Sequence, residues 1–173
     1  MIRRATDPYD YKKGPINAIV PEVAIPSHHA PDLQTVMNIP ITTVAVKVPT
    51  TLMHVHSVEV NVRGKKINLD DLKEHLKSTP RIRLVSMSNG FVSTASIIEF
   101  ARDFVRPRND VYELIIWEDS ITFRNGWLHW IQGVHQEAIV IPENIDAIRA
   151  MFNLMPKEES IKLTDKTLGI QPT

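Results

Sequence analysis

The chain has no cysteine among its 173 residues. That excludes a disulfide framework and any zinc site built on thiolates. It also means that a covalent reaction at a thiolate, if these residues serve one, takes its nucleophile from outside them. Aromatic residues make up only 6% of the sequence, which argues against a base-stacking platform for single-stranded nucleic acid. No charge of one sign prevails: twenty Lys and Arg balance twenty Asp and Glu, so no net field draws in nucleic acid or an anionic membrane. No apolar run approaches the roughly 20 residues that cross a bilayer. The opening Met1-Ile2-Arg3-Arg4 lacks the apolar core of a signal peptide. The six glycines never fall into G-x-G-x-x-G spacing, and no phosphate-binding P-loop occurs. These absences fit a cytoplasmic protein with no dinucleotide-binding turn of its own.

What remains is an ordinary globular composition, 43% hydrophobic and 23% charged, long enough for one domain with a real core. Residues 1 to 40 are expected to form an irregular arm, since they hold six of the twelve prolines and only Ile16 to Val20 suggests a short strand. A frayed terminus and a functional segment are both open to it. Regular elements follow. Ile41 to Val48 is β-rich. Met53 to Arg63 alternates, with His54, His56, Val58, Val60 and Val62 on one face that should be buried. Asn68 should cap a helix whose stripe is Leu69, Leu72 and Leu76, stopped by Thr79-Pro80. Arg81 to Ser86 reads as a strand, and Thr94 to Phe104 as a helix ended by Pro107. Val111 to Trp117 and Ser120 to Arg124 are strands, and Asn125-Gly126 marks a two-residue hairpin pairing Phe123 with Leu128. Pro142 is expected at the first position of a helix reaching Met155, and a weaker helix spans Glu158 to Lys166. The pattern predicts an α+β fold, a mixed and mostly antiparallel sheet with helices packed on one face.

Histidine carries the chemistry. Ser27-His28-His29 and His54-Val55-His56 place four imidazoles within two short segments, and imidazole changes charge near neutral pH. His54 and His56, two apart on a strand, leave the same face. Three uses are open to them: backbone-bonded residues at the edge of a core, a general base on a rigid strand, or two ligands of a zinc ion completed by His28 or His29, with Asp32 the acidic residue within the cluster. Arg3, Arg4, Lys12 and Lys13 could cradle a phosphate or simply form a solvated basic arm. Arg81, Arg83, Arg106 and Arg108 read as surface charge. Val134-His135-Gln136-Glu137-Ala138 ends a strand and either lines a cleft or forms a polar loop.

Taken together, Arg3-Arg4-Ala5, Lys12-Lys13-Gly14-Pro15, Pro26-Ser27-His28-His29-Ala30-Pro31-Asp32 and Val48-Pro49-Thr50-Thr51-Leu52-Met53-His54-Val55-His56 resemble the C-terminal half of archaeal-type glyceraldehyde-3-phosphate dehydrogenase. So do Thr79-Pro80-Arg81-Ile82, Arg106-Pro107-Arg108-Asn109-Asp110, and the segments Val134-His135-Gln136-Glu137 and Val140-Ile141-Pro142-Glu143-Asn144-Ile145-Asp146-Ala147-Ile148-Arg149-Ala150. The resemblance implies that residues 1 to 173 are a C-terminal catalytic domain, with residues 1 to 40 an active-site arm and the nucleotide-binding domain absent from the chain. It implies oxidation and phosphorylation of glyceraldehyde 3-phosphate with NAD or NADP and inorganic phosphate, through a cysteine thioester. By the matched motifs, His54 would be the catalytic base, and His28, His29 and Arg3 would hold substrate or phosphate. Arg4 and Gln136 would contact the cofactor, with no metal in the site. A homo-oligomer is implied, a tetramer in full-length members, and the isolated chain is expected to be inactive. The alternatives are a histidine-cluster metal-binding protein and a non-catalytic interaction domain that keeps the fold.

Overall fold

The computed structural model describes the backbone of residues 2–4 and, in full, residues 19–50, 52–64, 66–104 and 106–171. Two compact units divide the chain, Met1–His56 and Ser57–Thr173.

The first unit contains β1 (Ile2–Arg4), β2 (Val20–Pro21), α1 (His29–Gln34), β3 (Val46–Val48) and the first residues of β4 (His54–Asn61). Strand β3 runs parallel to β1 and antiparallel to β2, and Ile2 faces Val55 across an antiparallel pair. The arm expected to be irregular holds a helix. Pro31 had argued against one, but it lies in the first turn of α1, where a missing N–H costs nothing. Ala30 anchors the helix in the interior with no exposed surface. Of the strand expected from Ile16, only Val20 is in β2, and residues 16–18 lie outside the described residues. The β-rich run from Ile41 narrows to β3, because Thr43 bonds to a loop instead of a strand. Its carbonyl accepts the Ser27 amide at 2.8 Å, and the two hydroxyls meet at 2.7 Å.

In the second unit the strand order is β4-β7-β6-β5, with β5 at Ile82–Val85, β6 at Leu114–Arg124 and β7 at Trp127–Val134. Strands β5 and β6 are parallel, so they need a crossover, and α3 (Thr94–Asp103) supplies it. Ser93 and Ser96 cap α3 reciprocally. Helix α2 (Leu69–Ser78) starts where the sequence places it, with the Asp70 amide donating to Asn68 Oδ1 at 3.0 Å. Its stripe of Leu69, Leu72 and Leu76 packs on Ile116, Ile121 and Leu128 of the sheet. The hairpin turns at Asn125 (φ 52°) and Gly126 (φ 82°), which pairs Phe123 with Leu128 as read from the sequence. The sheet is mixed and mostly antiparallel in an α+β fold.

Three expectations need correction. The break at residues 118–119 is a bulge inside one strand, where Ser120 Oγ accepts the Ile131 amide at 2.8 Å and donates to the Trp117 carbonyl. Pro142 lies inside a helix, not at its start: α4 spans Gln136–Met151. The amides of Ala138 and Ile139 both bond the His135 carbonyl and begin the helix there. Burial of Ala138 with Tyr112 and Ile170, and of Pro142 itself, offsets the roughly 3 kcal/mol that an interior proline costs. A fifth helix, α5 (Lys157–Leu168), follows.

The third correction concerns the arginines. Arg81 is buried and donates to three carboxylates, to Glu143 at 2.8 Å, Asp165 at 2.7 Å and Asp146. Burial works against its charge, but the three carboxylates outweigh it and raise its pKa above the ordinary value. Arg106 is buried against Glu113, with Arg83 3.6 Å from the same carboxylate. Of the four, Arg108 is the one whose side chain is mostly exposed. Apolar pattern alone cannot reveal a charge whose partners arrive from distant helices.

Candidate active site

The four histidines all fall in the first unit. Met53, at φ 70°, turns the chain into β4 through the left-handed region, a conformation that costs a bulky side chain about 1–2 kcal/mol. Its own burial, at 2% exposure, holds it there. The next residue, His54, is thereby carried into the interior at 7% exposure, and His56 is half-buried on the same strand. Their ring centroids lie 6.2 Å apart, tilted by 50°. Farther along β4 the expected buried face fades, and Val60 is exposed.

The second pair stands at the N-terminus of α1, where Ser27 is fully buried and tethered to Thr43. His28 and His29 stack with centroids 3.8 Å apart. His28 is exposed and donates through Nδ1 to Glu22 Oε1 at 3.2 Å, and His29 is half-buried. Burial lowers the pKa of His56 below its ordinary 6.5, and the charge of His29 contributes in the same direction. The two pairs are thus in electrostatic reach of each other. An imidazole kept neutral by burial can accept a proton, and imidazoles at a helix end can bind an anion.

The metal arrangement considered from the sequence, His54 and His56 with a third histidine, is not among the groups of described donors that converge. Among the described residues the donors that converge are His28, His29 and Asp32. Glu22 was not read from the sequence as part of the site. Nothing in its local pattern marks it, since a bend and an irregular segment bring it back to His28.

The other expected site residues stand elsewhere. Arg3 and Arg4 pair through their backbones with Lys47 and Val48 in β1, and their side chains lie outside the described residues, as do Lys12 and Lys13. Gln136 belongs to the second unit, exposed at the first position of α4. Its neighbour His135 is buried and accepts the Val111 amide at Nδ1, 3.2 Å away, which fixes the end of that helix. No described helix is long and apolar enough to cross a membrane.

The family model described as "Glyceraldehyde 3-phosphate dehydrogenase, C-terminal domain" matches residues 1–120. Among curated proteins, the chain is 56% identical over 170 residues to a glyceraldehyde-3-phosphate dehydrogenase of Pyrococcus abyssi, covering 98% of this chain and 51% of the relative. It is 56% identical over 172 residues to one of Thermoplasma volcanium, covering 99% and 51%. For one of Archaeoglobus fulgidus the identity is 54% over 172 residues, covering 98% and 50%. The chain spans about half the length of the curated relatives it matches.

Proposed function

The chain belongs to the glyceraldehyde 3-phosphate dehydrogenase C-terminal domain family, and from that premise we propose that it is the catalytic half of such an enzyme. The reaction is the oxidation and phosphorylation of glyceraldehyde 3-phosphate to 1,3-bisphosphoglycerate, with inorganic phosphate as second substrate and NAD or NADP as oxidant. The observation that carries this is identity above 50% along nearly the whole chain, in order, to proteins of that name. A function built on a metal, or a purely non-catalytic domain, is not favoured by such matches.

His54 is the base in this proposal. Its imidazole, buried on β4, takes the proton released as a thiolate adds to the aldehyde and as the resulting hydroxyl collapses to the thioester. The thiolate must come from beyond these residues, since the chain has no cysteine. His28 and His29 hold the anionic oxygens of substrate phosphate or of the attacking phosphate, with Arg3 as a further cation. The nicotinamide, when bound, accepts the hydride. The residues here suit only one end of that cofactor: Gln136 presents an exposed amide at a helix start, and Arg4 a cation, but no Gly-rich turn occurs in the sequence. Alone, therefore, the chain is inactive. It works in the cytoplasm as part of a homo-oligomer, a tetramer, and exposed Ile148, Met151, Phe152 and Leu154 are apolar surface for packing against other parts of that assembly.

The test is to join the chain to the nucleotide-binding half of the Pyrococcus abyssi relative and to follow phosphate-dependent reduction of NAD and NADP. The joined protein should be active, and His54→Asn should lower kcat by about 10²–10⁴-fold. Activity that ignores phosphate, or a His54→Asn rate within a few-fold of the parent, would overturn the assignment.

A further inference from the structure

The N-terminal turn of α1 holds more than an anion anchor. His28, His29 and Asp32 each offer one ligand atom, and these atoms all lie within 4.8 Å of one another. The helix explains why: Asp32 follows His29 by three residues and His28 by four, the spacings that bring side chains together on one helical face. Two imidazoles and one carboxylate are the three protein ligands of many open zinc sites, which leave the fourth position to water or an anion. A tetrahedral ion with bonds near 2 Å needs its ligand atoms roughly 3.3 Å apart, so each donor must move inward by less than about 1 Å. His28 and Asp32 are exposed and have room to do so.

A second, independent contact points the same way. Glu22 receives the Nδ1 hydrogen of His28 at 3.2 Å. A carboxylate on one ring nitrogen fixes the tautomer whose other nitrogen keeps its lone pair, and it raises the basicity of that nitrogen. Metal-binding histidines are oriented in this way. The carboxylate is itself only partly exposed, so the contact is not a passing surface pair.

We propose that His28, His29 and Asp32, with Glu22 orienting His28, form a binding site for a divalent transition metal of the zinc type. The site is read from donor geometry, and it shares His28 and His29 with the anion site proposed above. It also differs from a metal built on His54 and His56, which contribute no ligand.

Cobalt(II) reports on it directly, because a tetrahedral cobalt ion absorbs visible light far more strongly than the octahedral aquo ion. The chain titrated with cobalt chloride should develop that band and saturate at one ion per chain, and zinc should bleach it. His28→Ala and Asp32→Asn should each weaken binding at least tenfold, and Glu22→Gln by about tenfold through the orienting contact. His75→Ala, which removes an exposed histidine of α2, should bind as the parent does. All of these changes lie at exposed or partly exposed positions, and a far-ultraviolet spectrum matching the parent's shows that each variant is folded. No saturable band in the folded parent, or equal affinity in parent, His28→Ala and Asp32→Asn, would overturn the site. Phosphate-dependent catalysis is read separately, in the joined protein, so failure of the metal site and failure of the dehydrogenase assignment are distinguishable.

Discussion

Replacing Arg106 with methionine isolates the buried ion pair at the entrance to β6. Both Glu113 oxygens are taken by Arg106, Oε2 by Nη1 and Oε1 by Nη2, at 2.7 Å each. The Glu113 side chain is 1% exposed, and the guanidinium lies 5.3 Å from the Phe104 ring centroid and 5.4 Å from that of Tyr112. Burial alone would raise the pKa of Glu113. The hydrogen bonds and charge of Arg106, helped by Arg83, outweigh it and hold the carboxyl below its ordinary 4.5. Without Arg106 the carboxylate keeps its desolvation cost and loses both bonds, a destabilisation of about 3–5 kcal/mol. Arg83, 3.6 Å away and partly exposed, places the expected value toward the lower end, near 3 kcal/mol. The double variant Arg106→Met, Glu113→Leu removes both charges and should lie within about 1 kcal/mol of the parent. The pH dependence has a definite sign. In the parent, the Glu113 contribution is present above its unfolded pKa and is lost as pH falls through the lower folded value. In Arg106→Met the folded pKa is raised instead, so the penalty is greatest at neutral pH and shrinks as acid protonates the carboxyl. Urea unfolding followed by circular dichroism at pH 7.5 and at pH 5 reads both effects. A single variant within about 1 kcal/mol of the parent at pH 7.5, or a double variant no more stable than the single, would refute the argument.

Two further outcomes follow from local geometry. His56 has a folded pKa below its unfolded 6.5, so the unfolded chain binds the extra proton and stability falls as pH drops below that value. His56→Gln should flatten the dependence of Tm on pH between 7 and 5, and an unchanged slope would show that this ring does not set it. At the hairpin, a Cβ on Gly126 would meet nothing within 4 Å, so the cost of Gly126→Ala is that of φ +82° alone, about 1–2 kcal/mol in the same urea titration. A change of a few tenths would mean that the turn relaxes out of the left-handed region.

The elements legible in the sequence are those written into a few adjacent residues. Asn125-Gly126 specifies its turn by itself, and Asn68 with Leu69, Leu72 and Leu76 specifies both the start of α2 and the face it buries. Helix α1 and the true start of α4 were hidden for the opposite reason: the prolines of the arm suggest an irregular segment and Pro142 suggests a helix start, while the burial of Ala138 against Tyr112 and Ile170 is not written in the local pattern. Arg81 was misjudged because the carboxylates that neutralise it lie 62 to 84 residues farther on, whereas the partner of Arg106, Glu113, is only seven residues away but no period marks it. At the site, the histidine pairs were visible as spacing and the strand as alternation. The contribution of Glu22 was not, because a turn brings it to His28 and no period records that turn.

The Arg81 cluster also has a history during synthesis. A ribosome adding about 5–20 residues per second needs about 4–17 s to pass from Arg81 to Asp165, 84 positions later. Glu143, the first of its partners to be made, follows after 62 of those positions, so burial of the guanidinium must wait for α4 and is completed only by α5. The three-carboxylate cage around Arg81 is therefore among the last parts of this fold whose residues all exist.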